Sequence, residues 1–118
     1  MGTILVADDE KTCRDSIQKV LEREGHKVQT ADDVDGALEA LRDPFDRIVC
    51  DYRMPGKTGL DFLIEMKRRQ SPVPVLMISA YADAVTEEAI LKLGALGLMK
   101  KPIRRQELVS QAARVMGG

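Results

Sequence analysis

The segment Ile4-Leu5-Val6-Ala7-Asp8-Asp9 joins an unbroken apolar run to two adjacent carboxylates. Such a run is typical of a β-strand that is buried on both faces of a sheet. A second run, Arg47-Ile48-Val49-Cys50, also stops at an acid, Asp51. Strands that bring acids to one end of a sheet concentrate negative charge there. Such a pocket must bind a divalent cation, hold protons or tolerate repulsion.

Short strand-like runs alternate with amphipathic segments along the whole chain. The predicted strands are 3–8, 27–30, 46–51, 74–79 and 97–100. A βα unit repeated in this way predicts an α/β fold, a doubly wound parallel sheet with helices on both faces. The 118 residues contain no linker or low-complexity stretch, so we expect a single domain.

Each segment between the strands has one apolar stripe at helical spacing, which predicts a helix packed against the sheet. The stripes are Cys13, Ile17, Val20 and Leu21; Val34, Ala37, Leu38 and Leu41; Gly59, Phe62, Leu63 and Met66; Val85, Ala89 and Leu93; and Leu108, Ala112, Val115 and Met116. We expect Gly25 and Gly94 just past helix ends, Pro44 at the end of the second helix, and Thr58 as the cap of the third.

Composition excludes several classes of protein. The 18 basic and 19 acidic residues give a net charge of −1, so the chain has no positive electrostatic field that would attract nucleic acid. No apolar run is long enough to span a bilayer and no signal segment is visible, so we expect a cytoplasmic protein. Cys13 and Cys50 are isolated and are predicted to be small core residues, and the single histidine, His26, is predicted to lie at the surface.

Ligands of open α/β sheets bind at the carboxyl ends of the strands. The residues at those ends here are Asp8, Asp9, Asp51, Ser79 and Lys101. Crowded carboxylates suit Mg²⁺, which takes hard oxygen ligands together with phosphate oxygens. A carboxylate can also act as a nucleophile and form an acyl phosphate, with Lys101 supplying positive charge and Ser79 a hydrogen bond.

Each of these residues also has a plain structural interpretation. Asp8 or Asp9 could cap the first helix, and Asp51 could be a turn residue. Ser79 could be a loop hydroxyl, and Lys101 a solvated charge. Taken singly, these interpretations are strong, but they would have to coincide on one rim of one sheet.

The chain resembles the receiver domain of two-component response regulators over essentially its whole length. The segments that carry the resemblance are Ile4-Leu5-Val6-Ala7-Asp8-Asp9-Glu10, Asp51-Tyr52-Arg53-Met54-Pro55-Gly56-Lys57-Thr58-Gly59, Pro74-Val75-Leu76-Met77-Ile78-Ser79-Ala80 and Gly94-Ala95-Leu96-Gly97-Leu98-Met99-Lys100-Lys101-Pro102. The resemblance implies a flavodoxin-like sandwich with strand order 2-1-3-4-5. It also implies a role in signal transduction by phosphorelay.

The resemblance implies that Asp51 accepts a phosphoryl group from a sensor histidine kinase or a phosphotransfer protein. It implies that Mg²⁺ binds directly to Asp9, Asp51 and the backbone carbonyl of Arg53. Asp8 would act mainly through a bound water. Pro55 and Gly59 would shape the loop that follows the acceptor.

The resemblance also assigns the switch. Ser79 would be the hydroxyl that moves toward the phosphoryl oxygen, and Lys101 would pair with the phosphate. The bond from Lys101 to Pro102 would be cis. The family often carries an aromatic residue three positions before this lysine, but Leu98 stands here, and Ile103 stands where Phe is frequent. Signal output is therefore expected to rest on movement of the fourth helix and its preceding loop.

Two further residues are candidates for tuning the lifetime of the phosphoryl group. Arg53 lies two positions past the acceptor and Tyr81 two past Ser79. Their bulk would hinder attack by water, although both could instead lie in solvent. A homodimer formed through the fourth helix, fifth strand and fifth helix is also expected, in a domain that could be excised from a longer regulator.

A phospho-switch without an external product is one of several functions open to this fold. Phosphatases with an aspartyl nucleophile place it after the first strand in an Asp-x-Asp arrangement, whereas Asp9 is followed here by Glu10-Lys11. A flavin-binding electron carrier needs a Ser/Thr/Gly-rich phosphate loop at the same place. A degenerate receiver would usually lack the acceptor, a metal-binding acid or the lysine.

Overall fold

The computed structural model describes residues 2–80 and 83–116, the side chains of 112–116 excepted. Five strands and five helices alternate along the chain. The elements are β1 (Thr3–Ala7), α1 (Lys11–Arg23), β2 (Lys27–Ala31), α2 (Val34–Ala40), β3 (Arg47–Asp51), α3 (Gly59–Arg68), β4 (Val75–Ser79), α4 (Ala84–Lys92), β5 (Gly97–Lys100) and α5 (Arg105–Met116). The strands are parallel in the order β2-β1-β3-β4-β5, which confirms the expected fold.

The two faces of the sheet carry separate apolar clusters. Leu5, Ile48 and Met77 point to one face, where α3 and α4 contribute Phe62 and Ile90. The second face is built from alternate residues of the same strands and from α1 and α5; its buried residues include Ile4, Val49, Ile78, Leu21 and Leu108. Burial on both faces explains the unbroken apolar runs of the inner strands. The edge strand β2 is largely exposed.

The helix ends largely follow the sequence signals. Gly25 and Gly94 take φ angles of 93° and 95° just past α1 and α4, the conformation that glycine adopts without steric cost. Thr58 accepts a hydrogen bond from the Asp61 backbone, and the Asp61 side chain accepts one from Thr58, which completes a capping box. Pro44 does not end α2, because this helix already stops at Ala40.

The predicted stripe of α4 is wrong at its first residue, Val85, whereas Leu93 packs against the core as predicted. Val85 is 78% exposed, and the buried residue of this helix is Ile90. The inward face runs through Thr86, Ile90 and Leu93, at the spacing i, i+4, i+7. Thr86 therefore occupies the first inward position. Val85, the apolar residue next to it, was assigned to the stripe from the sequence although it faces solvent. Of the α5 stripe, Leu108 is buried as predicted, and the other three side chains lie outside those described.

Both cysteines are unpaired: Cys50 is wholly buried and Cys13 is partly buried against the α1 face of the sheet. His26 is half-buried and not an open surface residue. Among the described residues, none of the helices combines the length and the apolar character that crossing a bilayer requires.

Candidate functional site

Lys101 lies at the centre of the acids that the strands bring to their carboxyl ends. Its Nζ is 2.9 Å from Asp51 Oδ2, 3.2 Å from Asp8 Oδ2 and 3.7 Å from Glu10 Oε1. Asp8 is wholly buried and Asp51 is 4% exposed. The structure therefore brings together residues 8, 51 and 101 in one charged network beneath the rim.

Three carboxylates are arranged so that one ion could touch all of them. Asp8, Asp9 and Asp51 each offer an oxygen, and these oxygens lie within 4.8 Å of one another. Asp9 is exposed, whereas the other two are buried. Asp8 Oδ2 is buried and accepts no hydrogen bond from the described residues, although Lys101 Nζ lies 3.2 Å away. A hard oxygen set with one such atom fits Mg²⁺.

The β1–α1 loop fixes Asp8 from several sides. Its backbone N–H donates to the Ala31 carbonyl over 3.1 Å, and its Oδ1 accepts from the Glu10 N–H over 2.9 Å. Its carbonyl accepts from Arg14 Nη1 over 2.8 Å. Glu10 is the N-cap residue of α1, without a side-chain cap bond, so neither aspartate caps this helix.

Ser79 also lies at this rim. Ser79 is buried at the end of β4, and its carbonyl accepts from the Lys101 N–H over 2.8 Å. The Lys101–Pro102 peptide bond is cis. Leu98 is half-buried against the α4-side cluster, and Ile103 packs against the opposite one.

Comparison with known proteins agrees with this geometry. A family model described as the response regulator receiver domain matches residues 4–113. The chain belongs to this family. It is 36% identical to the transcriptional regulatory protein FixJ of Bradyrhizobium diazoefficiens over 110 residues, which cover 92% of this chain and 54% of FixJ. The response regulator protein PilR of Pseudomonas aeruginosa is also 36% identical, over 94% of this chain and 26% of PilR.

Solved structures of receiver domains superimpose on the same fold. The receiver domain of NtrX from Brucella abortus gives a TM-score of 0.88 at 35% identity, covering 97% of this chain and 98% of that one. The chemotaxis response regulator CheY4 of Vibrio cholerae gives 0.86 at 30% identity, covering 98% of both chains. The predicted family is thus confirmed. The chain spans about half the length of FixJ and about a quarter of PilR.

Membership of the receiver family gives the acidic cluster a chemical context. Receiver domains interact with histidine kinases or phosphotransfer proteins, and the family uses Mg²⁺ for phosphorylation. In this receiver domain an open cavity of about 810 Å³ leads from the surface to Asp51. Arg53 is exposed on its wall, and Cys13, Ile17 and Ile103 give the cavity an apolar side. Tyr81 lies outside the described residues.

Burial and like charge raise the pKa of Asp51 in this receiver domain. Burial raises the pKa of Asp51 to about 6, the hydrogen bond from Lys101 opposes the rise, and the charge of Asp8 adds to it. Burial alone would lower the pKa of Lys101, but the hydrogen bond and charge of Asp51 raise it overall. Burial and a hydrogen bond to Asp8 raise the pKa of Cys13 to about 12, so its thiol stays protonated.

The free energy of unfolding of the metal-free domain should depend on pH through the titration of Asp51. Because the pKa of this carboxyl is higher when folded, at about 6, than its usual value near 4, folding favours the protonated form. This stabilisation is present below pH 4 and is lost as the pH rises through 6. We expect wild type, relative to Asp51→Asn, to lose about 1–3 kcal/mol between pH 4.5 and 7.5. Urea unfolding of both proteins in EDTA measures this loss. Parallel pH profiles of wild type and Asp51→Asn would contradict the expectation.

Two residues of the site were not singled out from the sequence. Arg14 binds the Asp8 carbonyl, and Glu10 extends the carboxylate network to the surface. Neither contact follows a spacing that can be recognised in the sequence. The Arg14 contact depends on the shape of the β1–α1 loop, and the Glu10 contact depends on how close Lys101, just past β5, comes to that loop.

Proposed function

We propose that Asp51 accepts a phosphoryl group from a sensor histidine kinase or a phosphotransfer protein, and that the resulting change controls an output domain or partner. The observation that supports this most is the position of Asp51. It is a buried carboxylate at the end of β3, paired with Lys101 at 2.9 Å and grouped with two further acids. A structural ion pair would need only one acid.

The proposed step is a direct displacement at phosphorus. A carboxylate oxygen of Asp51 forms a bond to phosphorus while the bond to the histidine nitrogen of the donor breaks. That nitrogen leaves with the electron pair. Asp9, Asp51 and the Arg53 carbonyl would hold Mg²⁺ directly, with Asp8 acting through water. The ion would neutralise phosphoryl oxygens, a task that Lys101 shares.

Switching requires contacts that differ between the two states. After transfer, Lys101 would exchange its bond with Asp51 for one with a phosphoryl oxygen, and the Ser79 hydroxyl would move toward the same group. Leu98 is half-buried beside α4, so repacking there would be aliphatic. The α4–β5–α5 face would then serve for a partner or a homodimer. On α4, Val85 and Leu91 are exposed.

Arg53 and Tyr81 are proposed to set the phosphoryl lifetime. Arg53 shares the cavity with Asp51, which supports a role at its entrance. Phosphate loss from Asp51 should be faster in the Arg53→Ala and Tyr81→Ala proteins, and unchanged lifetimes in both would end this proposal.

The remaining proposals concern the setting of the domain. We propose that residues 1–118 form one receiver domain of a longer regulator and that it acts in the cytoplasm. It would modify only itself and turn over no external substrate. It would bind neither nucleic acid nor membrane through this part of the chain.

Acetyl phosphate with Mg²⁺, followed by intact mass, tests the acceptor. Wild type should gain one phosphoryl group, and Asp51→Asn should gain none. Asp43→Asn is the matched control, since Asp43 is exposed and precedes β3, at the opposite end of that strand from Asp51, and it should behave as wild type. An Asp51→Asn protein that still gains the group would refute the assignment.

A further inference from the structure

Arg14 makes a contact with the acid site that no catalytic step uses. Its Nη1 donates to the backbone carbonyl of Asp8 over 2.8 Å. This carbonyl precedes the first residue of α1, Lys11, so it lies outside the hydrogen-bond ladder of that helix. Asp8 itself is wholly buried. The contact is partly buried, and the protein loses stability when a carbonyl in such a place loses its donor.

The contact ties the helix to the loop that carries two of the three acids. Arg14 belongs to the first turn of α1, and its backbone N–H donates to the Glu10 carbonyl over 2.9 Å. The side chain therefore reaches back across the loop while the backbone closes it. Together with the bond from the Glu10 N–H to Asp8 Oδ1, this fixes the direction of the Asp8 carboxylate.

We propose that Arg14 is a positioning residue for cation binding, holding the β1–α1 loop so that Asp8 and Asp9 face Asp51. The inference rests on the proposed metal site and adds a residue to it. Groups that orient metal-binding side chains typically change metal affinity by 10- to 100-fold when removed. The positive charge of Arg14 has the opposite effect, because it repels a cation, so the two roles predict changes of opposite sign.

Calorimetric titration with Mg²⁺ separates these roles. Arg14→Met should weaken Mg²⁺ binding by about 10-fold, and Arg14→Lys, which keeps a donor, should recover part of it. Arg23→Met, at the exposed end of the same helix, is the control and should bind as wild type. Unchanged or tighter binding in Arg14→Met would overturn the proposal. Should Arg14→Met fail to fold, an unchanged affinity in Arg14→Lys would overturn it too. Absence of binding in wild type would instead refute the metal site.

A second, independent observation concerns Arg47. This residue begins β3, is wholly buried, and lies on the α1–α5 face of the sheet. Its Nη1 donates to the Gln111 backbone carbonyl in α5 over 3.0 Å. Leu108 is the one buried side chain of α5 among residues 105–111. The charged hydrogen bond from Arg47 therefore acts together with the burial of Leu108 in holding this part of the helix.

We infer that Arg47 is a latch that fixes α5 to β3, the strand that ends in Asp51. Arg47→Met keeps the volume but removes the donor. Amide exchange of residues 105–116 should then become about 10-fold faster, while β1 and β3 keep their protection, as expected for local opening. Phosphoryl uptake should stay unchanged, so this test is separate from the assignment of the acceptor.

Two further variants make the latch falsifiable. Arg47→Lys should show a smaller acceleration in α5. Arg69→Met, which changes the exposed residue just past α3, should show none. Protection of α5 that is unchanged in Arg47→Met would overturn the proposal. So would acceleration spread evenly over all elements, since that would mark a general loss of stability. If Arg47→Met does not fold, the same two outcomes are read from Arg47→Lys.

Discussion

The Lys101→Met protein is expected to take up the phosphoryl group from acetyl phosphate about 100-fold more slowly than wild type at saturating Mg²⁺. Lys101 Nζ is 2.9 Å from Asp51 Oδ2 and 3.2 Å from Asp8 Oδ2, and its side chain is 16% exposed. A fixed cation at this depth stabilises the charge that develops on the transferred group. Its removal also leaves Asp8 and Asp51 facing one another without their shared counter-charge.

Lys100→Met is the control for this result. Lys100 is the neighbouring residue, has the same side chain, and is exposed on β5. We expect its rate to stay within about twofold of wild type, since surface charges act weakly across solvent. Equal rates in the two variants, measured by quenched-flow mass analysis, would show that Lys101 does not assist the transfer.

The second large effect is expected in Gly59→Ala. A Cβ at this position would lie 2.8 Å from the Asp51 carbonyl oxygen and 3.0 Å from Tyr52 Cα, and it would also clash with the Met77 side chain. The Gly59 N–H donates to the Tyr52 carbonyl over 2.7 Å, so α3 starts almost in contact with β3. Overpacking of this kind lowers the free energy of unfolding by about 1–3 kcal/mol. It should also displace Asp51 and slow phosphoryl uptake.

Gly97→Ala tests whether the close approach is the cause. Apart from its two chain neighbours, none of the described residues has an atom within 4 Å of a Cβ added to Gly97. We expect its free energy of unfolding to change by about 0.5 kcal/mol or less in urea. Equal losses in the two variants would mean that any alanine at these glycines is harmful, and the role of Gly59 in placing the acceptor would be withdrawn.

The strands were predicted closely from the sequence. The three inner strands are buried on both faces, so each appears in the sequence as an unbroken apolar run. The register of β1 against β3 then brings Ala7 beside Cys50, so the acids that follow both strands meet at one rim, as expected. Periodicity failed in α4, where Thr86 faces inward and Val85 faces solvent. When one inward position holds a polar residue, the apolar residues alone indicate the wrong side of the helix as its buried face.

The contacts missed from the sequence are those that depend on tertiary geometry. Arg14 reaches a backbone carbonyl six residues earlier, and Arg47 reaches one 64 residues later. Neither contact follows a helical or strand period, and a buried arginine contradicts the usual expectation for a charged side chain. The Arg14 contact follows from the shape of the β1–α1 loop, and the Arg47 contact follows from the packing of α5 on the sheet.

Calorimetric titration of the metal-free protein with Mg²⁺ shows whether Asp8, Asp9 and Asp51 form a cation site. We expect one ion per chain in wild type. Binding should be at least about 10-fold weaker in Asp9→Asn, whose exposed side chain can change without disturbing the core. Asp43→Asn should bind with wild-type affinity. Wild-type protein that binds no divalent cation, or an Asp9→Asn protein that binds as tightly as wild type, would contradict the proposed cation site.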